Sequence, residues 1–364
     1  MIALNDLARN HQAGHEELRA ACERVIASGW YVLGDEVTRF EAGFADYCGA
    51  AHCIGVANGT DALEIALRAA NVQSGDKVIT TANAAAYASV AINACGAAPV
   101  FVDVDLHTMN MSPETLRGAL AIRPRAVVVT HLYGRLAPVE QLAEAARDAG
   151  AMVIEDCAQA HGARHGGRHA GTFGDIGCFS FYPTKNLGAL GDGGAVVTND
   201  AALADRARQL RQYGWAHKYH CEITGGRNSR LDEMQAALLN VKLGWLDRQN
   251  HVRRLVARRY FEGIHNPLIT TQRRDDEADV VHLYVVRTPR RAQLAAHLAA
   301  AGVQTDIHYP LPDHRQPMFA GRYATLHLPA TEALANEILT IPCHPSLSEE
   351  EIAHVIDACN RFKP

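Results

Sequence analysis

Short runs of β-branched and other apolar residues alternate with longer amphipathic stretches through the first half of the chain. This pattern predicts βαβ units around a mainly parallel sheet. The apolar runs are Cys53–Val56, Lys77–Thr80, Val100–Val104, Ala126–Thr130, Ala151–Glu155, Gly177–Phe181 and Ala195–Thr198. Between them, Asp61–Ala70, Pro113–Ala121, Val139–Ala149 and Ala201–Gln212 place apolar residues at helical spacing, with Ser112 and Pro113 forming a cap and a first helical position. From Asp232 to Phe261 the pattern is helical for too long to fit between neighbouring strands, so it predicts a connector between domains. A strand over His282–Arg287, a helix over Arg291–Ala301, a strand near Val303, a strand over Ile338–Pro342 and a helix over Glu350–Phe362 follow. This mixed order predicts a smaller α+β domain, with the division expected between a large domain over residues 1–245 and a small one over 246–364.

Composition narrows the function classes. The 364 residues allow two to three domains, or one large domain with an appendage. Hydrophobic residues at 48% and charged residues at 21% exclude a disordered, collagen-like or coiled-coil chain. Lys+Arg 35 against Asp+Glu 40 leaves a net charge of −5, so no global basic field exists to hold nucleic acid or an anionic membrane. The expected partner is a small molecule. Nine cysteines without any C-x-x-C pair make neither a disulfide framework nor a zinc ribbon, which points to a reducing cytoplasm. The N-terminus lacks the pattern of a signal peptide. The most apolar segment, Ala88–Val102, is broken by Asn93, Gly96 and Pro99, short of the ~18 apolar residues of a membrane span. A soluble protein is expected.

Only five lysines occur. Lys77, Lys218, Lys242 and Lys363 fall in ordinary solvated positions, whereas Lys185 lies just past a strand, among small and polar residues and ahead of Gly191-Asp192-Gly193-Gly194. A lysine amine there can form a Schiff base if its ammonium is destabilised. A solvated surface charge is the alternative. An aldehyde cofactor with that chemistry is pyridoxal 5′-phosphate, which needs a carboxylate at its ring nitrogen, donors for its phosphate and a flat group against its ring. Val153-Ile154-Glu155-Asp156 is an apolar strand ending in carboxylates, with Asp156 suited to the nitrogen and Gln159 within reach of the ring hydroxyl. The strand ending at Val56 runs into Asn58-Gly59-Thr60-Asp61, a glycine turn and a helix start, where Gly59 and Thr60 offer N–H groups to a phosphate and Ser180 adds a hydroxyl. Singly, a strand-terminal aspartate is also a cap or an ion-pair partner, and N-G-T is also a plain turn. Together, N-G-T-D, E-D-x-A-Q and S-F-x-x-x-K along successive strand ends are hard to explain by packing alone. No Walker motif and no complete G-x-G-x-x-G follows a strand.

These motifs resemble the DegT/DnrJ/StrS family of sugar aminotransferases, over nearly the whole chain. The likeness runs through Gly34-Asp35-Glu36-Val37-Thr38-Arg39-Phe40-Glu41, Ala57 to Leu63, Pro99 to Asp105 and His131-Leu132-Tyr133-Gly134. It continues through Glu155 to Ala163, the Lys185 loop, Asn228 to Ala237 and His308-Tyr309-Pro310. The resemblance implies an α/β fold of type I among pyridoxal phosphate enzymes: a mainly parallel mixed sheet sandwiched by helices, plus the smaller C-terminal α+β domain. It implies that Lys185 is the catalytic Schiff-base lysine and proton carrier, Asp156 the ring-nitrogen partner and Gln159 the ring-hydroxyl partner. Gly59, Thr60 and Ser180 would hold the phosphate, joined by Asn228 from the other subunit of a homodimer. Arg230, His308 and Tyr309 would face a sugar nucleotide, Arg230 across the dimer interface, so that one two-fold interface builds two identical shared sites. Many relatives carry a Pro and a Thr-Phe pair where this chain has Thr81 to Tyr87, which leaves Tyr87 either the ring-stacking group or a core aromatic.

Some relatives replace the lysine with histidine and dehydrate sugars, so Lys185 favours transamination. The stretches Arg211–Gly214, Lys218–His220 and Asn228–Asp232 look most like members that aminate C3 of a ketosugar nucleotide. The expected reaction moves an amino group from L-glutamate, or a similar donor, to C3 of a dTDP-3-keto-6-deoxyhexose. A pyridoxal phosphate sugar dehydratase and a non-catalytic regulatory binder are the alternatives. His217, His220 and Cys221 lack a fourth ligand, so a polar substrate loop is expected there and no metal site. His161, His165 and His169 are expected to be loop residues, Cys48 and Cys53 buried thiols, and Arg253, Arg254, Arg258 and Arg259 the solvated face of the connector helix.

Overall fold

The computed structural model describes residues 1–274 and 276–363. Its centre is a seven-stranded sheet of β1 (His52–Val56), β2 (Lys77–Thr81), β3 (Ala98–Val102), β4 (Ala126–Thr130), β5 (Met152–Asp156), β6 (Ile176–Ser180) and β7 (Gly194–Thr198). Spatial order is β1-β7-β6-β5-β4-β2-β3. The strands β3, β2, β4, β5 and β6 run parallel, while β7 is antiparallel to both β6 and β1. Each strand lies within two residues of its expected position. Central β4, AVVVT, is buried throughout, as a strand covered on both faces must be.

Side-chain alternation splits the core into two layers. Ile54, Val128, Ile154 and Val196 face the helices Gly59–Ala69, Tyr87–Ala94 and Ala201–Leu210. Val127 and Val153 pack with the helix Val139–Asp148, and Phe179 and Val197 with the helices Asp35–Cys48 and Glu233–Leu243. A third apolar cluster, from Val256 to Phe362, surrounds the antiparallel pair β8 (Tyr284–Arg287) and β9 (Ile338–Ile341). The Asp232–Phe261 connector is not one helix. It is two, Glu233–Leu243 and Leu246–Gly263, because the chain turns at Gly244 and sets the Trp245 ring against Gly14, where any Cβ would collide with it. The expected strand near Val303 is a single parallel bridge to Ile2.

Three helix starts take their hydrogen-bond acceptor from far along the chain. Glu233 accepts the N–H groups of Gly34, Glu36 and Val37 at the head of the helix Asp35–Cys48. Asp313 accepts the Ala86 N–H and the Ser89 hydroxyl at the head of Tyr87–Ala94. Asp103 accepts the N–H groups of Ala330 and Thr331 at the head of Pro329–Glu337. Each carboxylate satisfies donors that a helix leaves open and sits at the positive end of its dipole.

Candidate active site

Register brings the motif residues to one edge of the sheet. Gly194 pairs with Val56 on one side and Ser180 on the other, and Asp156 pairs with Cys178 and Thr130. Beyond this edge lies a cavity of about 620 Å³ whose walls include Gly59, Thr60, Asp156, Ser180 and Lys185.

One wall is built to receive an anion. Asn58 caps the helix Gly59–Ala69, its side chain accepting the Asp61 N–H at 2.8 Å. That uses the third helical donor and leaves the first two, on Gly59 and Thr60, with no partner inside the helix. A Cβ added to Gly59 would lie 2.6 Å from the Ser180 Cβ, so only glycine lets the helix start approach that serine. Two N–H groups at a helix dipole and a nearby hydroxyl form a cradle of phosphate size.

Asp156 forms another wall. It is 6% exposed, and its carboxylate accepts the Ala158 N–H at 3.1 Å and the Thr130 hydroxyl at 3.4 Å. Burial raises its carboxyl above the usual range, opposed by the Ala158 N–H and the Lys185 charge. A ring nitrogen bearing a proton would shift that balance toward the carboxylate.

Behind it, His131 Nδ1 accepts the Ala137 N–H, so Nε2 carries the proton and donates to Glu155 at 2.9 Å. Glu155 also accepts the N–H groups of Gly171, Phe173 and Gly174. His131, Glu155 and Cys157 stand close enough to hold a metal, yet these hydrogen bonds already occupy both imidazole nitrogens and the carboxylate. The group is an anchor for the end of β5.

Lys185, in the loop after β6, is enclosed by the cavity walls. Burial lowers its ammonium to about 8, with Asp156 acting in the opposite direction. A free amine is therefore accessible just above neutral pH, which nucleophilic attack on a carbonyl requires. Lys77, Lys218 and Lys363 are exposed as expected, but Lys242 is not. It is 6% exposed, beside His11 and the Gly188 carbonyl, because its helix faces the Lys185 loop.

Tyr87, His308 and Tyr309 also line the cavity. Tyr87 is 51% exposed at the start of its helix, which overturns the core-aromatic alternative. His308 Nδ1 bonds the Thr340 hydroxyl at 2.8 Å. Gln159 stands outside the wall, its carboxamide donating to the Tyr309 hydroxyl and accepting the Tyr133 N–H. Asn228 and Arg230 lie outside the cavity of their own chain, Asn228 exposed and Arg230 half-buried without an ion pair among the described residues. The His217–Cys221 stretch forms an exposed hairpin away from the cavity, and His161 and His169 are buried against aromatic rings. Cys48 and Cys53 are buried free thiols.

The profile of the DegT/DnrJ/EryC1/StrS aminotransferase family matches residues 12–360. The chain belongs to this family. It is 45% identical, over 100% of its length and 99% of the relative's, to a dTDP-3-amino-3,6-dideoxy-alpha-D-galactopyranose transaminase of Aneurinibacillus thermoaerophilus. A crystal structure of Streptomyces venezuelae DesV in complex with a ketimine intermediate superimposes with a TM-score of 0.94 at 43% identity, covering 99% of this chain and 97% of that one. Bacillus subtilis NtdA with bound cofactor PMP gives 0.92 at 28%, covering 98% and 84%. As a member of the family, the protein is a pyridoxal-phosphate-dependent aminotransferase with a mainly parallel α/β fold. The cradle, the buried carboxylate and the accessible amine around one cavity fit that cofactor. Sequence reasoning missed Arg253 and His282, which share the cavity wall. Arg253 corrects an expectation: it is 4% exposed, while its helical neighbours Arg258 and Arg259 are exposed.

Proposed function

We propose that this aminotransferase moves an amino group from L-glutamate to C3 of a dTDP-linked 3-keto-6-deoxyhexose, in the cytoplasm, as a homodimer with shared active sites. The observation that carries the reading is the Lys185 amine, deprotonated at accessible pH and sharing one cavity with Asp156 and the Gly59–Thr60 helix start. When bound, pyridoxal phosphate supplies a carbonyl carbon for amines and an electron-accepting ring. Lys185 would hold the cofactor through that carbon until a substrate amine displaces it, and its freed amine would then take up and return the proton at the reacting carbon. Asp156 would keep the ring nitrogen protonated, Gln159 would act toward the ring hydroxyl from beside Tyr309, and Tyr87 would stack on the ring. Gly59, Thr60 and Ser180 bind the phosphate, with Asn228 of the partner subunit. Arg230 of the partner subunit binds the sugar diphosphate beside His308 and Tyr309.

Surface chemistry supports the dimer. Gln212 bridges Asn228, Val32 bridges Asp232, and the Tyr31 carbonyl accepts the Glu233 N–H, so the Asn228–Asp232 segment is flanked by Trp30, Tyr31 and Tyr213. All three aromatics are more than 40% exposed, an apolar surface suited to a partner. The sugar assignment rests on the similarity to dTDP-sugar relatives, and the compartment on nine unpaired cysteines. The test is direct. L-Glutamate should bleach the visible absorption of the holoenzyme, a dTDP-3-ketosugar should restore it with release of aminosugar, and Lys185→Ala should bind cofactor yet do neither. A wild-type enzyme that bleaches but aminates no 3-ketosugar nucleotide would rule out the proposed acceptor.

A further inference from the structure

Three arginines of the described chain are buried. Arg211 pairs with Glu41, and Arg274 makes a bidentate pair with Asp279. Arg253 has no carboxylate partner among the described residues. Its hydrogen bonds to carbonyls all run from Nη1, to Cys343 at 2.6 Å and to Val281 and His282 at 3.5 Å, while the buried Nε has no partner among the described residues. A buried charge left unpaired, with an unused donor, is costly unless a ligand completes it.

The place of this arginine says which ligand. It stands in the wall of the Lys185 cavity, and these two are the only lysine and arginine among the described lining residues. His282, lying near both, is held neutral by burial and by the two neighbouring cations. Lys185 is taken up by the proposed chemistry, so among the described residues Arg253 is the one fixed cation inside the cavity. An amino-acid donor brings an α-carboxylate one carbon away from the reacting nitrogen, and a planar guanidinium fork matches it.

We propose that Arg253 is the anchor for the α-carboxylate of the amino-acid donor, an inference that rests on the transamination proposed above. Nη1 stays on the carbonyls that position the fork, and the free edge receives the carboxylate. Arg253→Lys keeps the charge but loses the fork, and Arg253→Gln loses both. In holoenzyme of Arg253→Lys, with its melting temperature checked, the KM for L-glutamate should rise about tenfold or more. Calorimetry should show a similar loss of 2-oxoglutarate affinity. The second half-reaction, amine-loaded enzyme with ketosugar nucleotide, should stay within about twofold. In the wild type, the α-amide of glutamate should bleach the cofactor at least tenfold less efficiently than the γ-amide. An unchanged glutamate KM, equal slowing of both half-reactions, or equal use of the α-amide and the γ-amide would each overturn the assignment. The bleaching step needs no sugar, so a wrong acceptor leaves the donor result readable.

Discussion

At the residue scale, Lys185 differs from a surface lysine because the cavity walls strip water from its ammonium and only Asp156 opposes that loss. If Lys185 is the Schiff-base lysine proposed above, its free amine is the nucleophile, and cofactor-free protein should take up pyridoxal phosphate faster as pH rises, levelling off above about 8. Asp156→Asn removes the influence that raises the lysine, and the midpoint of that profile should move to lower pH. A midpoint that stays in place, followed by absorbance, would show that the two groups are not coupled. That Lys185, Asp156 and Gly59 meet at one cavity was legible in the sequence, because Asp156 ends an apolar strand, the other two follow one, and strand ends share an edge of the sheet. Arg253 and Lys242 were not legible. Each sits in an amphipathic helix with other charges, and only the docking of that helix decides which charge turns inward. Sequence periodicity identifies a face, but a long charged side chain fits either side of its boundary.

At the scale of elements, local capping was readable and remote capping was not. Ser112 caps the helix Pro113–Ala119 as its spacing predicts, with Thr115 completing a capping box. The helix Asp35–Cys48 has Gly34 at its cap position and no local side-chain acceptor, so only the acidic Asp35 and Glu36 of its first turn mark a start nearby in sequence. Its acceptor is Glu233, some two hundred residues later, at the head of another helix. Glu233→Gln keeps one carbonyl oxygen and removes the charge that serves three backbone donors. It should lower unfolding stability by roughly 1–3 kcal/mol, read from urea midpoints, with little change in the denaturant slope. A loss below about 0.3 kcal/mol would show that water replaces the carboxylate there. The broken connector has the same origin: Gly244 looks tolerable in a helical pattern, and only the tertiary fit of Trp245 onto Gly14 makes the turn necessary.

At the scale of the whole molecule, buried polar ties hold the parts that frame the cavity. Arg274 and Asp279 are both nearly inaccessible, and Arg274 also donates to the carbonyls of Tyr133 and Leu283, which joins the loop after β4 to the segment leading into β8. Arg274→Ala should cost roughly 3–5 kcal/mol, because the buried Asp279 is left with only the part-exposed Arg135 at 3.5 Å and the Val281 N–H, and an Arg274→Met, Asp279→Leu pair should cost less than the single change. Equal losses in both proteins would mean that the carbonyl contacts dominate the ion pair. The proposed dimer makes its own demand. In a heterodimer of Lys185→Ala with Arg230→Ala, one site carries both defects and the other is intact, so mixed subunits should be active where neither homodimer is. Heterodimers that form without activity would place Arg230 in its own chain's chemistry. The remote acceptors also bear on how the protein is made. A ribosome adding roughly 5–20 residues per second needs on the order of ten to forty seconds to pass from Val37 to Glu233. For that interval the emerging helix head is uncapped. β1 likewise waits for β7, the only strand it pairs with among the described residues. The nascent first half must therefore stay open until the second arrives, which makes the young chain, rather than the finished enzyme, the form most in need of a chaperone.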